Sequence, residues 1–418
     1  MLLLYNIGIQ VYFLIIRVTS IFHKKARLWI NGRKNCAFIR CSGSIWFHFA
    51  SLGEFEQGRP VLEQIRVLYP DDKIVVTFFS PSGYEVRKNT PLADAVYYLP
   101  LDTASNARKF IETIQPKMAV FTKYEYWYHF FNEMHQRHIP VYIISGIFRP
   151  GQIFFKWYGG LHRKMLSFVS CFFVQDERSK TLLAGQGINN VIISGDTRFD
   201  RVWANAQSPK PIPVVNEFKN GHKVFIAGST WPQDEKLVTS LVAAYPEWKF
   251  IIAPHEISDE KIEKLISLLP EGSTIRYSQI SNLNSQISDQ KVLVIDNIGM
   301  LSSLYQYGNI AFIGGGFGAG IHNTLEAAAF GLPVVFGPNY AKFKEAHDLI
   351  DLKAGFSISN ETELRMITDR LISDEVFYNE ASNKIATYVK EHTGATKTII
   401  DYISPLKNTQ STIAAKPL

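Results

Sequence analysis

The chain has 418 residues and a mass of 47.5 kDa, which at about 150 residues per domain predicts two or three domains. Hydrophobic residues at 46% and charged residues at 20% exclude a disordered or collagen-like chain. The formal charge is +6, yet it is local. Residues 1–53 hold seven basic side chains (Arg17, Lys24, Lys25, Arg27, Arg33, Lys34, Arg40) and no acid before Glu54, leaving 37 basic against 38 acidic residues for the rest. A nearly neutral body excludes a general nucleic-acid binder. The cysteines, Cys36, Cys41 and Cys171, are too few for a disulfide framework or a four-ligand zinc site, and they fit a reducing compartment.

Residues 1–22 are apolar, interrupted by Asn6, Gln10, Arg17, Thr19 and Ser20, and are followed by His23, Lys24, Lys25 and Arg27. That length suits a span or an interfacial helix. Without a charged start or a small-residue cleavage site, the segment is expected to be a retained anchor. Its basic flank would lie on the cytoplasmic side of the inner membrane, with a buried first helix as the plain alternative.

From residue 44 onward, short β-branched and aromatic runs alternate with helical periodicity, the mark of parallel βαβ units. Strands are expected at 45–50, 73–79, 95–100, 118–122, 140–146, 171–175 and 191–195, giving one doubly wound domain over 23–205. The proline-rich stretch 206–222 is expected to be a linker. The pattern restarts at 223–229, 249–254, 291–296, 309–316 and 333–337, giving a second such domain over 223–404 and a loose tail over 405–418. Two doubly wound α/β domains facing a cleft form the GT-B arrangement of nucleotide-sugar glycosyltransferases, and ligands of such sheets collect at the carboxyl ends of strands.

The clearest phosphate signal is Gly314, Gly315, Gly316, Gly318 and Gly320, between a strand and the helix opening near His322 and Asn323. Glycines admit a close ligand, and helix-start N–H groups attract an anion. Glu326 is placed to accept from ribose hydroxyls. A dehydrogenase would carry an acid about 20 residues on; Phe336 to Tyr340 stand there instead, against NAD. Gly228-Ser229-Thr230 and Pro254-His255-Glu256 also end strands, although Ser or Thr at such a place often only caps a helix. In the first domain Glu54 follows Ser51-Leu52-Gly53 at a strand-to-helix turn. It is either a general base or a first-turn acid favouring the helix dipole. Glu125 stands among Tyr124, Tyr126 and Trp127 after another strand, where the aromatics either pack a sugar face or belong to the core. Arg198 is either a fixed cation at the site or an ion-pair partner of Asp196 or Asp200. No Asp-x-Asp triplet and no HExxH spacing occurs, so no metal is implied.

Taken in order, these segments resemble the 3-deoxy-D-manno-octulosonic acid (Kdo) transferases of lipopolysaccharide assembly. The likeness runs from the anchor to about residue 350, through Ser51 to Glu54, Glu125 to Trp127, Gly195 to Asp200, Gly228 to Thr230, and His322 to Glu326 leading into Phe330-Gly331-Leu332-Pro333. The resemblance implies an inverting, metal-independent GT-B enzyme that takes Kdo from CMP-Kdo to a lipid A precursor at the membrane, without a cofactor. It implies Glu54 as base, Glu125 and Arg198 as transition-state stabilisers, and CMP held by Pro254, His255, Ile298, Gly299, Met300, Asn323, Thr324, Leu325 and Glu326, beside Gly228, Ser229 and Thr230. This chain departs from the family pattern at Lys123, Tyr124, Tyr126, Tyr128, His255-Glu256, Arg198 and Thr324. The alternatives are another membrane-associated GT-B enzyme using a UDP-sugar, and a non-catalytic sugar-nucleotide-binding protein.

Overall fold

The computed structural model describes residues 1–34, 36–282 and 287–404. The expected tail, 405–418, lies outside them. The chain divides into one unit of Met1–Arg201 with Thr393 onward, and a second of Val202–His392.

The first unit is built on a parallel sheet of seven strands: β1 (Ser44–Phe49), β2 (Ile74–Phe78), β3 (Ala95–Tyr98), β4 (Pro116–Thr122), β5 (Val141–Gly146), β6 (Cys171–Val174) and β7 (Val191–Ile193). They lie in the order β3-β2-β1-β4-β5-β6-β7. All seven expected strands are present. Because neighbouring side chains on a strand face opposite ways, β1 serves two cores at once. Trp46 packs with Phe110, Phe121 and Phe130 on one side, while Ile45, Phe47 and Phe49 pack with Phe55, Leu62 and Ile65 on the other. The helix Leu52–Leu68 lies close on that second face. A Cβ at Gly58 would sit 2.5 Å from the Phe49 ring and 2.8 Å from Thr122 Oγ1.

The second unit repeats the plan with β8 (Lys223–Thr230), β9 (Trp248–Pro254), β10 (Thr274–Arg276), β11 (Val292–Val294), β12 (Ile310–Ile313), β13 (Val334–Phe336) and β14 (Gly355–Ser357). Their order is β10-β11-β9-β8-β12-β13-β14, again all parallel. The five expected strands are here, joined by β10 and β14, which the sequence reading did not include. Each is a three-residue edge strand, too short to show a period.

The observed second unit differs from the expected 223–404 at both ends. Residues Pro213–Lys219, within the expected linker, form a helix that buries Val215 and Phe218, and Ile212 N donates to Tyr307 Oη at 2.7 Å. At the other end, the helix Ala395–Ile403 returns to the first unit and buries Ile399 and Ile403 in its core. Asp200 secures the return by accepting from the backbone N–H groups of Gly394 and Thr396, each at 2.6 Å.

The amino-terminal helix, Leu2–Thr19, is long and apolar enough to cross a membrane. Three of its polar side chains contact the rest of the first unit. Tyr5 Oη donates to the buried Asp102 carboxylate at 2.5 Å, Asn6 Oδ1 pairs with His129 Nε2 at 2.7 Å, and the Tyr12 ring packs against Trp29 and Phe79. The other face is apolar and open, through Leu3, Leu4, Ile7, Leu14, Ile15 and Val18.

Candidate active site

In a doubly wound sheet, the place where strand order reverses opens a crevice at the carboxyl ends of the two central strands. In the first unit these strands are β1 and β4. Glu54 follows β1 and Glu125 follows β4, so two carboxylates distant in sequence come to one crossover point.

Glu54 occupies the first turn of the helix Leu52–Leu68, whose amino-terminal cap, Ser51, makes no side-chain bond to the backbone. The Ser51 hydroxyl donates instead to Glu54 Oε2. A carboxylate turned back to cap its own helix would bond the Ser51 N–H; here it is held by the hydroxyl and is partly exposed. Tyr124 connects it to its neighbours. Burial pushes the Tyr124 hydroxyl above its ordinary value, Arg149 and Arg198 pull it back, and Glu54 adds to the rise. Glu54 and Arg198 are therefore each within electrostatic reach of Tyr124.

Glu125 is bound from two sides at Oε2, by Trp127 Nε1 at 3.0 Å and by His48 Nε2 at 3.2 Å. Of the neighbouring aromatics, Tyr126 packs with Phe131, Phe148 and Phe154 in the core. Trp127 stacks on Phe79 at 5.0 Å, which in turn stacks on Tyr12 of the amino-terminal helix at 6.2 Å. Tyr12 itself feels the charge of Glu125. The crossover point is thus beside the apolar helix.

Arg198 opens the helix Thr197–Gln207 and pairs through Nε with Asp196 Oδ2 at 2.8 Å, one of the two partners considered from sequence. Asp196 also accepts from Gln57 Nε2 at 2.7 Å. Burial would push its carboxyl up, but Arg198 and Lys123 hold it below the usual range. The guanidinium is pinned on one edge and retains 30% side-chain exposure.

In the second unit the central strands are β8 and β12. Gly228, Ser229 and Thr230 end β8, with Ser229 in the left-handed region at φ +55°. A Cβ at Gly228 would stand 2.2 Å from Tyr305 Oη and 3.0 Å from the Leu301 side chain, so the segment after Ile298, Gly299 and Met300 folds over this end. Ile298 is 87% exposed, and Asn297 Nδ2 donates to Met300 Sδ at 2.8 Å. Pro254 ends β9, and His255 N donates to Thr230 O at 2.9 Å. The glycine loop closes on itself: Gly315 has φ +92°, and a Cβ there would meet Gly320 O at 2.5 Å and His322.

Three rings form a stack over these strand ends, Trp231 on His255 and His255 on His322, each pair 4.6 Å between centroids. Trp231 Nε1 donates to His322 Nε2 at 3.1 Å, which leaves the other ring nitrogen of a neutral His322 as a donor. Burial, reinforced by His255, holds His322 down at about 4, so it is neutral at physiological pH. Asn323 bonds Glu326 Oε1 through Nδ2 at 3.1 Å and caps Leu325 N through Oδ1 at 3.2 Å. Thr324 and Leu325 are buried, which makes them supports of this turn rather than side chains offered to a ligand.

Sequence reasoning missed Trp231, Asp234 and His48. Asp234 is fully buried and its Oδ2 accepts from Gly315 N and Trp231 N, both at 2.8 Å, clasping the glycine loop to the start of the helix Pro232–Ala244. The signal was present, since proline at the first helical position and an acid two residues later announce a helix start. No sequence rule tells which loop that acid will hold.

A family model described as 3-deoxy-D-manno-octulosonic-acid transferase (kdotransferase) matches residues 21–201. A 3-deoxy-D-manno-octulosonic acid transferase of Aquifex aeolicus is 28% identical over 361 residues, covering 82% of this chain and 91% of its own. That of Haemophilus influenzae is 26% identical over 377 residues, covering 86% of each. The chain is a glycosyltransferase that resembles Kdo transferases. The resemblance read from the motifs is therefore shown, and it extends through both units. Among solved structures, the UDP-GlcNAc 2-epimerase of Neisseria meningitidis matches with a TM-score of 0.60 at 16% identity, covering 87% of this chain and all of that one. The UDP-GlcNAc 2-epimerase of Methanocaldococcus jannaschii matches at 0.52 and 15%, covering 84% of this chain and 100% of its own. At such identity the likeness is one of fold, the two-domain GT-B architecture expected from sequence.

Proposed function

We propose that this Kdo-transferase-like chain moves Kdo from CMP-Kdo onto a glucosamine hydroxyl of a lipid A precursor. Three observations support the reading: Glu54 and Glu125 follow the two central strands of the first unit beside an apolar amino-terminal helix, Tyr124 next to Glu125 feels the charges of both Glu54 and Arg198, and the relatives of the chain are Kdo transferases. Glu54 takes the proton of the attacking hydroxyl, a contribution of about 10²- to 10⁴-fold. The hydroxyl oxygen bonds to the anomeric carbon as the bond to the CMP phosphate oxygen breaks, so one displacement inverts the centre through an oxocarbenium-like transition state. Glu125 faces the developing positive charge on the sugar, and Arg198 the anionic charge of the Kdo carboxylate or the departing phosphate.

The second unit takes CMP. His255 and its ring partners Trp231 and His322 offer a flat stack to the donor, the glycine loop offers backbone N–H groups to the phosphate, and Glu326 accepts from ribose. Pro254, the loop of Ile298, Gly299 and Met300, and the turn of Asn323 frame the same place. The acceptor is a lipid, which explains an apolar helix next to Glu125 and a basic flank suited to the anionic cytoplasmic face of the inner membrane. The test is to incubate the purified chain with CMP-Kdo and lipid A precursor and weigh the lipid by mass spectrometry. A mass increase of one or more Kdo units is expected. An unchanged lipid, or greater thermal stabilisation by UDP than by CMP, counts against the reading.

A further inference from the structure

A buried chain of polar side chains runs under Glu125, and the transfer scheme does not use it. His48 is on β1, with its side chain fully buried. Its Nδ1 lies 2.8 Å from Thr77 Oγ1 and its Nε2 lies 3.2 Å from Glu125 Oε2. Trp46, two residues earlier on the same face of β1, reaches the same Thr77 Oγ1 through Nε1 at 2.8 Å. The register of the sheet makes this possible, since His48 pairs with Thr77 on β2 and with Phe121 on β4, the strand that leads to Glu125.

The direction of the protons follows from what each group can do. An indole donates and cannot accept, so Trp46 donates to Thr77 Oγ1. The Thr77 hydroxyl then has two acceptors within reach, the Phe47 carbonyl at 3.4 Å and His48 Nδ1 at 2.8 Å. Donation to the nearer one leaves the imidazole proton on Nε2, aimed at Glu125. The reverse tautomer would set an unprotonated Nε2 against a carboxylate oxygen, two acceptors facing each other in a dry interior. Trp127, again a pure donor, completes the arrangement at the same Oε2. Every proton along the chain therefore points toward one carboxylate oxygen, an order in which each bond polarises the next.

We propose that His48, relayed from Trp46 through Thr77, is a positioning residue for Glu125: its Nε2–H fixes Oε2 inside the protein and turns Oε1 to the reacting sugar. This rests on the reading that Glu125 acts in transfer. Glutamate has several rotatable bonds, and a group that must face a charge developing in the transition state gains most from being set in place beforehand. The bland alternative is a core histidine whose polar atoms are merely satisfied.

The experiment compares His48→Gln, which retains an N–H donor near the position of Nε2, with His48→Phe, which fills the ring's volume without one. Both are assayed as full-length protein with CMP-Kdo and lipid A precursor, with folding followed by thermal melting. His48→Phe is expected to lower kcat about 10- to 100-fold with KM for CMP-Kdo within about threefold, and His48→Gln to recover most of the loss. Should His48→Phe fail to fold, Thr77→Val takes its place, with an expected loss in kcat of about tenfold from breaking the relay. Histidine ¹⁵N NMR of the wild-type protein, with His48 assigned from its absence in His48→Gln, is expected to show the Nε2–H tautomer. Equal losses in the two His48 variants, or kcat unchanged in His48→Phe, would overturn the positioning role. An Nδ1–H tautomer or an imidazolium would overturn it independently of any activity. A wild-type protein that transfers no Kdo would instead remove the reading of Glu125 on which the role depends.

Discussion

The chemistry proposed for Glu54 depends on a carboxylate that, among the described residues, has no salt-bridge partner and is not turned back on its helix. Ser51 holds it with a single hydroxyl, a contact that orients it without neutralising it. Replacement by Gln keeps the shape and the Ser51 contact but removes the basic oxygen. Glu54→Gln is expected to melt within a few degrees of wild type and to lose about 10²- to 10⁴-fold in kcat, measured by Kdo transfer to lipid. Activity within tenfold of wild type would refute the base assignment. Position 54 was legible in the sequence because a strand, a serine and an acid at a helix start form a local pattern. His48 was not, because a histidine in an apolar strand gains meaning only when sheet register brings Thr77 and Glu125 to its two ring nitrogens. Arg198 stood between, as its pairing with Asp196 was one of two local alternatives.

Helix ends show a similar division. The start of the helix Pro232–Ala244 carries Asp234 and Glu235 in its first turn, as the dipole favours, yet both are buried. Burial raises Glu235 to about 7, outweighing the hydrogen bond it accepts from Thr230. A carboxyl raised in the folded state keeps its proton longer there than in the unfolded chain. Its stabilising share is therefore complete below the ordinary value near 4.5 and is lost as pH rises through about 7. Glu235→Gln is expected to melt with wild type at pH 4.5 and above it at pH 8, by up to about 3 kcal/mol. A melting difference independent of pH would refute this account. The carboxyl-terminal helix Ala395–Ile403 teaches the opposite lesson. The sequence reading placed it in the second domain, and its docking on the first unit was not legible, since amphipathicity says that a face is covered and not by what. Ile399→Ala empties a fully buried position in the first unit's core. It is expected to cost about 2–5 kcal/mol in denaturant unfolding, while CMP binding, assigned to the second unit, changes little in the folded protein.

At the scale of the molecule, the strand alternation was enough to give two doubly wound domains, because parallel strands buried on both faces read as continuous apolar runs. The disposition of the amino-terminal helix was not legible, because length and hydropathy are the same for a helix that crosses a bilayer and one that lies along it. Tyr5, Asn6 and Tyr12 tie the helix to the first unit, while Leu14 at 59% exposure and Ile15 at 58% lie on its open side. Lys24 and Lys25 follow, both exposed. If this open side meets lipid, the adjoining lysines add attraction to anionic headgroups of about 1 kcal/mol each. Leu14→Asp removes an apolar contact worth about 1.5–3 kcal/mol without touching the docked side. It is expected to weaken co-sedimentation with phosphatidylglycerol vesicles at least tenfold. Lys24→Gln with Lys25→Gln is expected to weaken it on anionic vesicles but not on neutral ones, and the difference should vanish at high salt. Transfer to a membrane-embedded acceptor should fall with vesicle binding in both variants, while transfer to a detergent-dispersed, short-chain acceptor should hold. If Leu14→Asp binds vesicles as wild type does, the exposed face is not the one that meets lipid.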